Sequence, residues 1–369
     1  MRLSDILKKT SSNPPAATPQ VQNIPVQQQK ISLAMSKNFI PELKTAAALP
    51  EFPLAEAEHI YSGLITEVKN MLHAVSKGQV YDSDFSSISK LVESLPAAMD
   101  ALALISDKAT PDTYLYGHMA NVCIYAAITG AALGYTKNQL EQLALAALLD
   151  DIGMIKFLDV AQRPVKFSTN EHNIIKRHIF AARDMIGKFG GIPSSMRSTM
   201  SNIITQTHER QNGSGYPEGL IGSSIATQSK IIAVCDVYEA LTHPRAYRQR
   251  IIPHEAVKTI IGLSEDSLDP DIVKTFVNSI SLYPPGTYVR LNSDEIAKVI
   301  RTNPQMPTRP VVKIVLTPDG RKETEQKTVN LADNPMLFIK EPLDETKLNI
   351  QDKKLLLELK AMRWWVKGI

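Results

Sequence analysis

Cysteine is scarce in this chain: two residues, Cys123 and Cys235, among 369. Each lies in an apolar run, so both read as reduced core side chains. Two isolated thiols cannot make an all-cysteine zinc site, which needs four. An excess of charge of one sign is lacking too. Lys and Arg number 41 against 38 Asp and Glu, a net charge of +3. That balance excludes the strong basic excess usual in proteins that bind a nucleic-acid polymer. No uninterrupted apolar stretch is long enough to span a bilayer. The N-terminus, MRLSDILKKTSSNPP, has no apolar segment of the kind a secretory signal carries. Together these two absences lead to the expectation of a cytoplasmic protein.

What is present is a chain long enough for two domains plus tails, with an ordinary hydrophobic content of 43%. Residues 1–50 are rich in Pro, Gln, Ser and Ala. They bury too little apolar surface to offset the entropy of ordering, and they read as a flexible tail. Over 51–106, Ile60, Leu64, Val68, Leu72, Ile88, Leu91 and Leu95 recur at helical spacing, predicting a helical extension that packs on the central block of the chain. Residues 107–281 form that block and read as a run of helices: 116–133, 137–149, 170–188, 195–209, 227–241, 254–263 and 270–280. After Pro284-Pro285-Gly286 the period shifts toward two, so 283–345 reads as a small β domain. Pro318-Asp319-Gly320 is a hairpin turn by composition. Residues 351–369 return to helical spacing as a basic amphipathic segment with two Trp near its end. Such a helix suits a membrane surface, a partner's groove or the chain's own domains.

The chemistry-bearing residues collect in the central block. Asp150-Asp151 follow the apolar run LALAALL. Adjacent carboxylates at the end of a buried helix repel each other and need a cation nearby, unless they are solvated at the helix end. Among eight histidines, three stand out by position: His118 near the start of an apolar helix, His178 within the 170–188 helix, and His208 at the end of the helix before a Gly-rich loop. A lone His is more often a core or surface residue than a ligand. Asp236 sits inside the mostly apolar IIAVCDVYEAL. Taken together, imidazoles and carboxylates suit one or two divalent ions of Mn, Fe, Zn or Mg. Two ions bridged by a carboxylate can clamp an in-line phosphoryl displacement. The loop GSGYPEGLIG at 213–222 offers backbone N–H groups that could hold phosphate oxygens, or is an ordinary surface loop.

Five stretches resemble the HD-GYP family, a branch of the HD phosphohydrolases that opens cyclic di-GMP. HERQNGSGYPEGLIG (208–222) and IIAVCDVYEALTHPRAYR (231–248) are similar to its signature. LALAALLDDIGMI (143–155) is similar to its helix ending in His-Asp-Ile-Gly-Lys, and YGHMANVCIYA (116–126) and KRHIFAARDMI (176–186) to two further His-bearing helices. The resemblance covers about 107–281 and implies a mainly α fold: an HD-type all-helical domain, then a small β domain and a C-terminal helix. It implies that His118, Asp151, His178, His208 and Asp236 are metal ligands, with Asp151 bridging and catalytic, and that Gly215, Tyr216 and Pro217 line a cyclic-dinucleotide pocket.

This chain departs from the family pattern at four positions: Asp150 for the His of His-Asp, Met154 for the Lys, Thr207 for the first His of a His-His pair, and Asn212 for an Asp. Asp150 can still offer a metal an oxygen, of harder character. Met154 cannot hold a phosphate. Arg210 and Arg245 lie near the motifs and are candidates for that role, since Arg binds phosphate in a bidentate fashion. The expected function is metal-dependent hydrolysis of cyclic di-GMP or a related dinucleotide. The alternative is a non-catalytic sensor of such a dinucleotide or a scaffold for a partner, with a homodimer among the assemblies left open.

Overall fold

Helix formation here follows local signals that packing then exploits. The computed structural model describes residues 54–106, 114–163, 165–245, 248–324, 327–348 and Leu359. Helices α1 (Leu54–Ser76) and α2 (Ser86–Ser106) bury the predicted stripes, Ile60, Leu64, Val68 and Leu72 on one and Ile88, Leu91 and Leu95 on the other. They pack on each other and on α3 (Tyr114–Ala132), which is buried nearly all round. Helix α4 (Lys137–Leu149) starts on a capping box, in which the Thr136 hydroxyl accepts from the Gln139 N–H. It pairs closely with α3.

Beyond α4 the chain makes a 3-10 turn, Ile152–Phe157, that runs into one helical turn at Leu158–Ala161. Helices α5 (Thr169–Ile175) and α6 (His178–Ile186) occupy the span expected as one helix over 170–188. The backbone breaks at Lys176-Arg177, so His178 opens a helix instead of lying within one. Helix α7 (Ser194–Thr205) ends three residues before His208, which therefore stands in the following turn. Helices α8 (Thr227–Thr242), α9 (Pro253–Leu263) and α10 (Pro270–Ile280) agree with expectation. Proline in the first turn of α9 and α10, and Asp269 capping α10, explain why their starts were legible. Tyr125, Tyr238 and Phe276 meet edge to face, tying α3, α8 and α10 together beneath the site.

The C-terminal part is an antiparallel sheet in the order β4-β3-β2-β1-β5, with β1 at Tyr288–Leu291, β2 at Ile296–Arg301, β3 at Val311–Leu316, β4 at Thr328–Asn330 and β5 at Ile339–Leu343. The turn at 318–320 forms as composition suggested, with Gly320 at φ +79° and the Thr317 N–H bonded to Arg321 O. The sheet is joined to the helices by specific contacts. Arg250 grips buried Glu345 through both carboxylate oxygens at 2.5 and 2.6 Å, and Asp100 accepts from the N–H and hydroxyl of Thr302. Helical and β parts thus fall within one compact unit. Both cysteines are buried and free. Among the described residues no helix is long and apolar enough to cross a membrane. The expected N-terminal tail lies outside the described residues. So does the C-terminal amphipathic helix apart from Leu359, which is buried with Tyr288, Ile296 and Leu316 of the sheet.

Candidate metal centre

Five side chains from different elements close a ring. The chain turns sharply where Asp150 ends α4 and Asp151 opens the 3-10 segment, so the two adjacent carboxylates diverge. Asp151 then stands between two histidines, with Oδ2 at 3.1 Å from His118 Nε2 and Oδ1 at 3.2 Å from His178 Nε2. His178 Nε2 is 3.0 Å from His208 Nε2. His208 Nδ1 is 4.0 Å from Asp236 Oδ2, and Asp236 Oδ1 is 3.4 Å from His118 Nε2. The ring has a deep side and an open side. The side chains of His118 and His178 are 1% and 3% exposed, whereas those of His208 and Asp236 are 12% and 17% exposed.

Two glycines allow this assembly. A Cβ on Gly153 would stand 1.9 Å from the carbonyl oxygen of His178, so only glycine lets α6 come close enough to bring His178 to Asp151. A Cβ on Gly215 would stand 2.4 Å from Glu209 Cα, so the Gly-rich loop lies directly on the Glu209-Arg210 backbone.

Each inward nitrogen is set by what the other ring nitrogen does. His118 Nδ1–H donates to Glu239 Oε2 at 2.5 Å, leaving Nε2 to face Asp151 and Asp236. Asp236 and Glu239 are one turn apart on α8, so a single helix face holds both nitrogens of His118. His178 Nδ1–H donates to Ile175 O across the helix break at 2.7 Å, which turns its Nε2 to the centre. Glu239 was not anticipated as a site residue. Its signal was the same as that of Asp236: an acid inside an apolar helix.

Electrostatics follow the packing. Burial alone would push the Asp151 carboxyl up, but hydrogen bonds from His118 and His178 hold it well below the ordinary range. Asp150 has the opposite fate. Burial, and then the charge of Asp151, push its carboxyl well above the ordinary value, and its Oδ1 is buried with no hydrogen-bond partner. Burial and the neighbouring His178 push the His208 imidazole well below its usual value. Burial raises Asp236 as well, with His118 opposing and Asp151 adding to the rise. Burial opposes it, but Glu239 and Asp151 raise the His118 imidazole well above its usual value, and Asp151 raises His178 against burial in the same way; these protons supply the charge that a bound cation would bring.

The donors fit a divalent ion. Asp151, His178 and His208 each offer a ligand atom, and those three atoms lie within 4.8 Å of one another. Two imidazole nitrogens and a carboxylate oxygen are an ordinary donor set for a first-row transition metal. Asp150 stands outside this group of three, though its orphaned oxygen is the sort of atom an ion would satisfy.

The predicted substrate residues are placed differently. Tyr216 stacks on His208, with ring centres 4.9 Å apart and planes 12° from parallel, and so borders the open side. Pro217 follows it in the loop. Several of the loop's N–H groups are already engaged within the protein. Those of Glu218, Gly219 and Leu220 donate to the buried carboxylate of Glu209 at 2.7, 3.2 and 3.0 Å, and that of Tyr216 donates to His208 O. Arg210 donates to the carbonyls of Thr207 and Glu209. Arg245 lies behind His118, with Nη2 3.0 Å from Glu239 Oε2 and 3.3 Å from His118 Nδ1. Replacing Glu209 by Ala is expected to loosen the loop. Each lost bond to a charged acceptor is worth about 1.5–3 kcal/mol, so amide exchange at 218–220 should rise roughly tenfold to hundredfold. Wild-type exchange rates in that variant would exclude the role given to Glu209.

An HD domain family model matches residues 99–272, and a KOW domain associated with HD domain matches residues 288–351. A cyclic di-GMP phosphodiesterase of Pseudomonas aeruginosa is 27% identical over 269 residues, 72% of this chain and 63% of that protein. The chain belongs to the HD-GYP branch of the HD-domain proteins. The cyclic di-GMP phosphodiesterase PdeB of Borreliella burgdorferi is 24% identical over 246 residues, 66% of this chain and 63% of that protein. A 3'3'-cGAMP-specific phosphodiesterase of Vibrio cholerae is 25% identical over 191 residues, 52% of this chain and 40% of that protein. The chain thus spans less than two thirds of the length of each.

In this HD-GYP protein, the substituted positions have structural roles of their own. Thr207 is buried, and its hydroxyl donates to Ile204 O at 3.0 Å. Met154 is buried in the 3-10 segment. Asn212 is exposed and donates to Asp266 Oδ1, while its own Oδ1 accepts the Ser214 N–H.

Proposed function

We propose that this chain is a metal-dependent phosphodiesterase that opens cyclic di-GMP or a related cyclic dinucleotide. The observation that carries the reading is Asp151, a charged carboxylate with one oxygen toward His118 and the other toward His178, inside a ring whose His208–Asp236 side is open. The substrate class is supported by relatives named as phosphodiesterases of cyclic di-GMP and of 3'3'-cGAMP.

His118, Asp151, His178, His208 and Asp236 would hold the metal, with Asp150 in reserve as an oxygen donor. When bound, a divalent cation supplies Lewis-acid activation of water and of phosphoryl oxygens. The protein's own residues do the rest. Glu239 and Ile175 O take the outward Nδ1–H of His118 and His178, so that the inward Nε2 atoms are the ones that would face a cation. Tyr216 walls the open side through its stack on His208.

A second reading is a sensor or scaffold without turnover. It is favoured by Thr207, whose hydroxyl is engaged by backbone, and by Met154, which brings no charge. The deciding experiment uses protein purified anaerobically, analysed for metal and assayed on cyclic di-GMP with Mn(II) or Fe(II). Turnover, with bound metal that Asp151→Asn loses, is the expected result. Metal and tight binding without turnover would replace the enzyme by a sensor. A wild-type protein that holds no metal would overturn the site itself.

A further inference from the structure

Met154 stands where the family's phosphate-binding Lys would be, and the two arginines near the motifs are engaged elsewhere. Arg210 is turned onto the carbonyls of Thr207 and Glu209, and Arg245 is held behind His118 by Glu239. The open side of the ring nevertheless has a cation. Lys176 sits in the break between α5 and α6, two residues before His178, and is exposed. Its ammonium lies 5.0 Å from the ring centre of Tyr216, and that same ring stacks on His208. A ring contact is therefore the tether that keeps Lys176 beside the centre.

Lys176 and Arg177 form the turn between the two helices, with both residues still in right-handed helical backbone. An ammonium is a compact point charge on a four-carbon stem, with three donors and no fixed direction. Packed on an aromatic face, Lys176 has no anionic partner among the described residues. It stands within a side chain's swing of the mouth formed by His208 and Asp236. A cyclic dinucleotide brings two phosphodiester charges, and the metal ligands can attend to only one of them at the centre.

We infer that Lys176 is the substrate-positioning cation of this site, contacting a phosphodiester oxygen of the dinucleotide at the Tyr216 wall. This rests on the dinucleotide reading given under Proposed function. The positioning charge has thereby moved from the segment after Asp151 to the segment before His178, on the other flank of the same carboxylate.

The test is the dissociation constant of the full-length, metal-loaded protein for cyclic di-GMP, measured by calorimetry at low and high salt, with guanosine as the phosphate-free comparison. Losing a charge-assisted contact is worth about tenfold or more in affinity. Lys176→Gln is expected to bind cyclic di-GMP about tenfold more weakly and to lose part of the salt dependence, with guanosine binding and metal content unchanged. Lys176→Arg should stay within about threefold of wild type. Arg177→Gln removes the same charge from the adjacent residue and should change nothing.

Cyclic di-GMP binding by Lys176→Gln equal to wild type would overturn the inference while leaving the dinucleotide reading intact. An equal loss for guanosine would also overturn it, because Lys176 would then act through the Tyr216 stack. Absence of cyclic di-GMP binding by the wild-type protein would overturn the dinucleotide reading and this inference with it.

Discussion

Glu239→Ala is expected to cost about 3–5 kcal/mol of stability, the usual loss when one member of a buried charge group is removed. The side chain is 1% exposed and accepts from His118 Nδ1, Asn121 Nδ2 and Arg245 Nη2, with His243 Nδ1 at 3.2 Å. Truncation leaves the Arg245 guanidinium and His118 in the interior without their anion. Burial alone would push the Glu239 carboxyl up, yet His118, His243 and Arg245 hold it well below the ordinary carboxylate range. A depressed value means that its stabilising contribution is present at neutral pH. The contribution disappears only as pH falls through that depressed value, in strong acid. The check is urea unfolding of the wild type and Glu239→Ala at neutral pH. Glu239→Gln separates support from folding. It keeps the shape and an acceptor, but weakens the pull on His118 Nδ1–H, and should lower metal affinity roughly 10–100-fold. Unchanged metal affinity in that variant would limit Glu239 to a structural role.

Gly153→Ala should be nearly as damaging, for a steric reason. The added methyl would stand 1.9 Å from His178 O and 2.7 Å from Ala182 N. Both are backbone atoms of α6, which cannot step aside as the end of a side chain can. The expected cost is about 3 kcal/mol, the upper end for overpacking. If α6 moves to relieve the clash, the 3.2 Å approach of His178 to Asp151 is lost with it. Thermal unfolding together with metal analysis reads both outcomes. A variant with wild-type stability and full metal content would show that the two segments are less tightly apposed than described.

The helical and strand periods of this chain were legible because burial imposes them locally. An apolar residue every three or four positions in α1 and α2 is what a helix on a core requires, and Asp with Pro at the start of α10 marks that boundary without reference to anything distant. The break at Lys176-Arg177 had no such mark. The sequence from 170 to 188 is compatible with one helix, and what divides it is the fit of His178 against Gly153 and Asp151, more than twenty residues away in the chain. The engagement of the Gly-rich loop was hidden for a similar reason. Its N–H groups are potential anion donors in any loop, and only the fold brings the Glu209 carboxylate to three of them.

By itself, the sequence determined which residue types are available for a metal centre and which elements carry them: His118 and Asp236 on apolar helices, and Asp151 at the end of another. Isolated charged or imidazole groups in apolar runs demand compensation whatever the fold. Tertiary structure alone decided that Asp151 lies between His118 and His178, that Glu239 grips the far nitrogen of His118, that Arg245 is turned to the back of the ring, and that Lys176 stands at its front. Those are matters of distance between segments far apart in the chain, and electrostatic compensation depends on distance. The sequence therefore announced two scarce thiols and a surplus of buried acids and imidazoles, and only packing assigned each acid its partner.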